Sequence, residues 1–283
     1  MINITKDRRY YSGDDFYNIL LIGTGGTGGY VAQMIAQYLS IFSKKGQIIL
    51  ADKDVVEAKN LKNQLFVQKD IGKPKAEVLA KRYSAAYSIP ISSFTDRYLE
   101  TIEDIDSMWL RDYDITSGAH YKIIISCVDN NYTRQVLHQY FTEHDKGNLI
   151  YIDVGNEAVN IPMDIEQSQW SEEDKENFQT TGYTGQCVVG YKFNKKVILS
   201  PTASVFPDIL DDHDEIKPSE ASCGDIVVSQ PQRLITNRYS ALVVGTVMNE
   251  IFDTQTISNH VIHFHSKKCY IRGQKAEILE ENN

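Results

Sequence analysis

Two groups of residues in this 283-residue chain combine the types and spacing needed to hold a phosphate ester. The first is Gly23-Thr24-Gly25-Gly26-Thr27-Gly28, which follows the apolar run YNILLI (17–22). After it, Val31, Met34, Ile35, Tyr38, Leu39 and Phe42 recur at helical spacing. A strand, a glycine turn and a helix start in that order aim backbone N–H groups and a helix dipole at an anion. The same turn also serves close strand-helix packing, and by itself it suits NAD, FAD or ATP. Asp52 stands 24 residues beyond Gly28, at the end of the apolar run QIILA (47–51), where a carboxylate accepts hydrogen bonds from ribose hydroxyls.

The second group separates these ligands. Asn60, Gln64, Lys73 and Lys75 lie in one loop-to-helix stretch, and Asp129 follows the apolar run YKIIISC (121–127). Open α/β sheets bind ligands beyond the carboxyl ends of their strands, so Gly23, Asp52 and Asp129 should face one crevice. A carboxylate beside a phosphate cradle repels it unless a cation lies between, and Mg²⁺ on Asp129 with lysines around a triphosphate supplies that cation. NAD needs no such metal. Taken singly, Lys73 and Lys75 also read as solvated helix-start residues, and Asp129 as the N-cap of the next helix.

Positioning these groups takes a series of elements. The pattern predicts strands at 17–22, 47–51, 89–94, 121–127 and 149–154, and helices at about 29–45, 74–87 and 132–143. Gly46 marks the end of the first helix, and Pro74 fits a first-turn position. Residues 96–118 are acidic and less regular. This alternation predicts a Rossmann-like, doubly wound, mostly parallel α/β sheet. Beyond Gly155 the chain is loop-rich and faces substrate, with a polar run at 167–179, a hairpin at 187–199, a helix at about 232–252 and a closing hairpin at 261–272. A single domain is expected, with a nucleotide-binding half (17–156) and a second half (157–283) made of a crossover region, helix and terminal antiparallel strands. The tail from Lys275 is expected to fray.

Composition bounds the function. With 29 Lys+Arg against 38 Asp+Glu the formal charge is −9, which argues against wholesale nucleic-acid binding. No apolar run reaches the ~20 residues of a membrane span, and the first residues lack a secretory h-region, so no membrane partner and a cytoplasmic location are expected. Cys127, Cys187, Cys223 and Cys269 are far apart and form no Cys-x-x-Cys pair, so they read as single thiols. His263 and His265 alternate along one strand face with Cys269 across a turn. That set could offer three metal ligands, but a hairpin is the simpler reading, because spacing alone does not fix convergent geometry.

The residues resemble the ThiF/MoeB/ubiquitin-activating-enzyme superfamily of adenylyltransferases. GTGGTG, DKDVVEAKNLKNQ, DIGKPKAE and SCVDNNYTR match it in order and approximate spacing over about residues 17–156. The block PSEASCGDIVVSQPQRLITNRYSALVVGTVMNEI is similar to its cysteine-bearing segment and following helix. The nearest likeness is to the ThiF-like proteins of PRTRC systems. The resemblance implies ATP- and Mg²⁺-dependent adenylation of a carboxylate, usually the C-terminal glycine of a ubiquitin-like or sulfur-carrier protein, with release of pyrophosphate. Adenylation of a small molecule or peptide, a non-catalytic nucleotide-binding scaffold and an NAD-dependent oxidoreductase are the rival readings. By motif position, Gly23, Thr24, Gly25, Gly26, Thr27 and Gly28 cradle the nucleotide, with Asp54 and Val128 beside it. Asp52 holds the ribose, Asn60, Asn63 and Gln64 line the phosphate loop, Lys75 neutralises phosphate charge, and Asp129 holds Mg²⁺.

Three departures from the family qualify this. Asn63 stands where an arginine contacts the triphosphate, a charge-assisted bond worth about 1.5–3 kcal/mol. Lys62, Arg8 or Arg9 could replace that charge, and in many relatives an N-terminal arginine crosses a homodimer, which makes Arg8 a candidate. The paired zinc cysteines are absent. Cys223 resembles the cysteine that accepts a modifier as thioester in compact activators, with Cys187 the other candidate. Glu220 and Asp225 flank Cys223, however, and carboxylates raise rather than lower a thiol pKa.

Overall fold

The structure is a computed structural model, and it describes residues 1–5, 13–109, 118–162, 165–211, 217–221 and 232–278. Arg8, Arg9 and Cys223 lie outside these residues. Five parallel strands form the nucleotide-facing half of the main sheet: β2 (Phe16–Ile22), β3 (Lys45–Ala51), β4 (Ile91–Phe94), β5 (His120–Ser126) and β6 (Asn148–Asn156). They lie in the order β4-β3-β2-β5-β6. The sheet continues antiparallel through β7 (Thr184–Phe193), β10 (Asn259–His265) and β11 (Tyr270–Lys275), while β8 (Lys196–Leu199) pairs with β7. The short β1 (Ile2–Asn3) and β9 (Thr256–Ile257) form a separate ladder.

Near-continuous apolar strands require cover on both faces, and the helices supply it. Along β2, Tyr17, Ile19 and Leu21 face a layer with α1 (Gly28–Ile41), α2 (Lys75–Tyr87) and the later α9 (Leu234–Asp253). Leu20 and Ile22 face the other way, toward α3 (Ile102–Met108) and α4 (Asn131–Glu143). Each fully buried aliphatic side chain contributes about 1.5–3 kcal/mol. α5 (Glu172–Thr180) and the single turns α6 (Thr202–Val205), α7 (Asp208–Asp211) and α8 (Pro218–Ala221) complete the described α-helices, and 3-10 turns lie at Ala58–Lys62, Gln68–Asp70 and Gln167–Gln169.

Several expectations shift. α1 ends at Ile41, and Gly46 lies inside β3, where a Cβ would come within 2.6 Å of the Tyr17 carbonyl. Close approach of β2, not a helix end, explains that glycine. Pro74 is the N-cap of α2 rather than part of its first turn. The polar run at 167–179 holds α5, opened by a Ser171/Asp174 capping box, and the acidic stretch holds α3, opened by Thr101/Asp104. Lys275 belongs to β11 and Ala276 is buried, so order extends past the expected fraying point.

Candidate active site at the carboxyl ends of β2 and β5

The chain leaves β2 toward β3 and β4 and returns as β5 on its other side, so β2 and β5 flank a topological switch point. Ile22 pairs with both Ala51 and Ser126, which brings the ends of β2, β3 and β5 level. The loops beyond them touch. Gly23 has φ +83°, and a Cβ there would come within 2.8 Å of the Cys127 carbonyl. A Cβ on Gly28 would lie 1.8 Å from the Gly23 carbonyl, and one on Gly26 would lie 2.4 Å from Asn237 Nδ2. Glycine is required at positions 23 and 28, where the clash is with backbone.

Asp52 is fixed under the turn. Its Oδ2 accepts from Thr24 N at 2.7 Å and Thr24 Oγ1 at 2.8 Å, and its Oδ1 accepts from Asp54 N at 2.9 Å. Burial pushes its carboxyl above the ordinary carboxylate value, against the attraction of Lys75. Lys75 is buried and donates to Asp54 Oδ2 at 2.8 Å, so its ammonium is shared with a carboxylate. Tyr98 donates to the other Asp54 oxygen at 3.2 Å, and burial followed by the Asp54 charge pushes its hydroxyl up to about 12. Asn60 is buried, with Oδ1 accepting from Glu57 N at 2.8 Å. Gln64 packs on Gly25, and its buried Oε1 has no hydrogen-bond partner among the described residues. Asn63 and Lys62 are exposed on the rim, as is Lys73.

Asp129 does not cap α4. Asn130 does, its side chain accepting from Thr133 N at 2.8 Å. Asp129 is exposed and makes no hydrogen bond among the described residues. Beneath it, Arg134 donates to the Val128 carbonyl at 2.8 Å and to Asn131 Oδ1 at 3.2 Å, and pairs with buried Asp153 at 3.2 Å. Burial works against the guanidinium charge, but Asp153 and its other anionic neighbours hold its pKa above the ordinary value.

The structure thus brings the glycine turn, Asp52, Asp54, Lys75, Asn60, Gln64, Val128 and Asp129 to one end of the sheet. It also adds residues that sequence reasoning missed: Tyr98, Arg134, Asp153, Asn156 and Asn237. Arg134 lies in the matched SCVDNNYTR stretch and was legible there. No periodicity marks Asn237, which reaches the turn from α9 and accepts from Asn156 Nδ2 at 2.7 Å. Cys187 has no exposure, and burial raises its thiol pKa, as it does for Cys127. A thiol in that state is neither accessible nor ionised. His263 and His265 lie on β10, and among the described residues no group of three His, Cys, Asp or Glu side chains could hold a metal.

The ThiF family model matches residues 15–205, more than half of the chain. The chain belongs to the ThiF family. No curated protein matches it by sequence. Its fold is similar to that of E. coli MccB solved with AMPCPP and SeMet MccA, at a TM-score of 0.57 and 16% identity, covering 93% of this chain and 65% of that one. E. coli MccB with ATP matches at 0.54 and 18%, covering 93% and 64%. SeMet PaaA matches at 0.54 and 14%, covering 92% and 64%. The chain therefore spans a little under two thirds of the length of these structures. The likeness bears on the fold, a Rossmann-like α/β sheet with antiparallel strands beyond its parallel part. Among the described residues no helix is long and apolar enough to cross a membrane.

Proposed function

We propose that this ThiF-family chain is an adenylyltransferase that uses ATP and Mg²⁺ to activate a carboxylate, with release of pyrophosphate. The observation that carries this reading is the convergence of a glycine turn, a ribose-type carboxylate and an uncommitted carboxylate at one switch point. Asp129 fits a hard cation: it is exposed, stands beyond the β5 carboxyl end and is relieved of capping by Asn130. Mg²⁺ held there would neutralise phosphate charge. The protein's own groups position the nucleotide: Asp52 accepts from the ribose, the turn and the α1 N-terminus face the phosphates, and Lys75, held by Asp54, adds positive charge. The site supplies alignment and charge rather than a strong general base, which suits in-line attack on a phosphorus atom.

The acceptor fits the C-terminal carboxylate of a peptide or of a ubiquitin-like or sulfur-carrier protein. The MccB structures solved with the peptide MccA favour the peptide case. Within this reading the chain acts as one ThiF-like domain and as a homodimer, with Arg8 reaching a partner's phosphates and Cys223 receiving the acyl group. Asn63 on the rim favours a second reading, a nucleotide-binding scaffold without turnover.

Calorimetric titration with ATP and NAD, each with and without Mg²⁺, on wild type and Asp129→Ala tests the site. ATP binding strengthened by Mg²⁺ only when Asp129 is present is the expected result. Preference for NAD, or indifference to Asp129, would sink the metal assignment. ATP binding without pyrophosphate exchange for any acceptor would favour the scaffold.

A further inference from the structure

A cavity of about 300 Å³, lined by Asn131 and Arg134 of α4, opens at the carboxyl end of β6, between α4 and the α6–α7 segment. Two of its polar groups are deeply buried. Asp153 is 3% exposed, and both its oxygens draw on the same Arg134 Nε–H, at 3.3 and 3.2 Å. Thr202 is 2% exposed, and its hydroxyl makes no hydrogen bond of good geometry among the described residues, although it lies close to the buried Tyr151 hydroxyl. A buried hydroxyl left in this state favours a hydrogen-bond partner in the cavity it lines.

The charge of the lining agrees. Arg134 is committed to Asp153, Asn131 and the Val128 carbonyl, which among the described residues leaves the cavity with the negative charges of Glu157 and Asp208. Glu157 is held by one oxygen, which accepts from the backbone of Gly182 at 2.9 Å and from Thr184 Oγ1 at 3.0 Å. That pins the carboxylate at the cavity wall. Asp208 is exposed at the rim. The cavity is also tied to both halves of the nucleotide site. Arg134 grips the residue before Asp129, and Asn156 on the wall bonds Asn237, whose amide nitrogen covers Gly26.

We propose that this cavity seats a cationic side chain, Lys or Arg, close to the carboxyl terminus of the acceptor, and so selects acceptors that carry one. The proposal rests on the adenylation reading for its location beside the reacting carboxylate, but its binding chemistry is measurable alone. A guanidinium or ammonium meets Glu157 and Asp208 beside the Arg134–Asp153 pair, while the Thr202 hydroxyl takes a further N–H. A neutral side chain of the same shape leaves those carboxylates unmatched, and an acidic one adds repulsion.

The test is calorimetry on the full chain with N-acetyl-argininamide, N-acetyl-lysinamide and N-acetyl-citrullinamide, the last a neutral match for arginine. ATP·Mg²⁺ is titrated in the same samples, and thermal melts check folding. One cationic probe should bind about tenfold more tightly than citrullinamide. Asp208→Asn should cut that preference about threefold or more, and Thr202→Val should weaken the cationic probe while the fold persists. Equal binding of charged and neutral probes, no binding of any, or a preference untouched by both substitutions would overturn the proposal. A wild type that prefers the cation but ignores ATP would sink the adenylation reading and leave the cavity's selectivity standing. ATP binding without cation preference would do the reverse.

Discussion

Asp129 and Asn130 divide two tasks that either could have performed. The amide accepts from the Thr133 N–H and starts α4, so the neighbouring carboxylate stays exposed without a hydrogen bond among the described residues. Asn130→Ala should therefore cost about 1 kcal/mol in urea denaturation, the usual value of an N-cap. Asp129→Asn should leave stability within about 0.5 kcal/mol, yet lower Mg²⁺-dependent pyrophosphate exchange by roughly a hundredfold or more. Equal loss of stability in the two variants would show that the division is wrong. Gly28 is a harder constraint, because the 1.8 Å approach of a Cβ to the Gly23 carbonyl is to backbone that cannot rotate away. Gly28→Ala should destabilise by about 3 kcal/mol or more and abolish nucleotide binding, read by chemical denaturation and calorimetry.

At the scale of elements, α4 links the site to the pH response of the fold. It starts at the Asp129–Asn130 pair and ends at His144, whose ring stacks on Tyr140 at 5.5 Å. Burial pushes His144, and His138 within the same helix, below the ordinary histidine value of 6.5. The unfolded chain therefore takes up these protons first, so stability present above pH 6.5 is lost as pH falls toward the folded values. Asp52 acts in the opposite sense, because a carboxyl raised by burial gains stability on protonation. Urea midpoints between pH 7.5 and 5.5 should fall in wild type and fall less in His144→Asn, where the Asp52 contribution is unchanged. A variant with the wild-type slope would exclude His144 as a source. Lys192 braces the same helix end by donating to the Phe141 carbonyl at 3.0 Å and to that of Thr142. Lys192→Met should cost about 1–3 kcal/mol by stranding those carbonyls.

For the whole molecule, the proposed homodimer predicts a light-scattering mass twice the 32.2 kDa of one chain, and a monomeric mass would count against Arg8 acting across an interface. ATP·Mg²⁺ at a hundred times its dissociation constant should stabilise the chain by about 2.7 kcal/mol, seen as a rise in Tm. The sequence by itself determined the parallel half of the sheet. Apolar runs bounded by Gly23, Asp52 and Val128 are local signals, and a strand buried on both faces leaves few alternatives. It also placed Gly23, Asp52 and Asp129 at one end of the sheet, because strand order in a doubly wound sheet brings its carboxyl ends together. What it missed depended on contacts between distant residues. Gly46 reads as a helix end until β2 is seen against it, and Lys75 reads as free until Asp54 is found 2.8 Å away. Asn237 meets Gly26, and Asp153 meets Arg134, only because α9 and β6 pack where the tertiary fold puts them. Side-chain pairing across such separations leaves no periodicity in the chain. The sequence therefore located the candidate site, and the tertiary structure decided which charges there are already matched and which stay unpaired among the described residues.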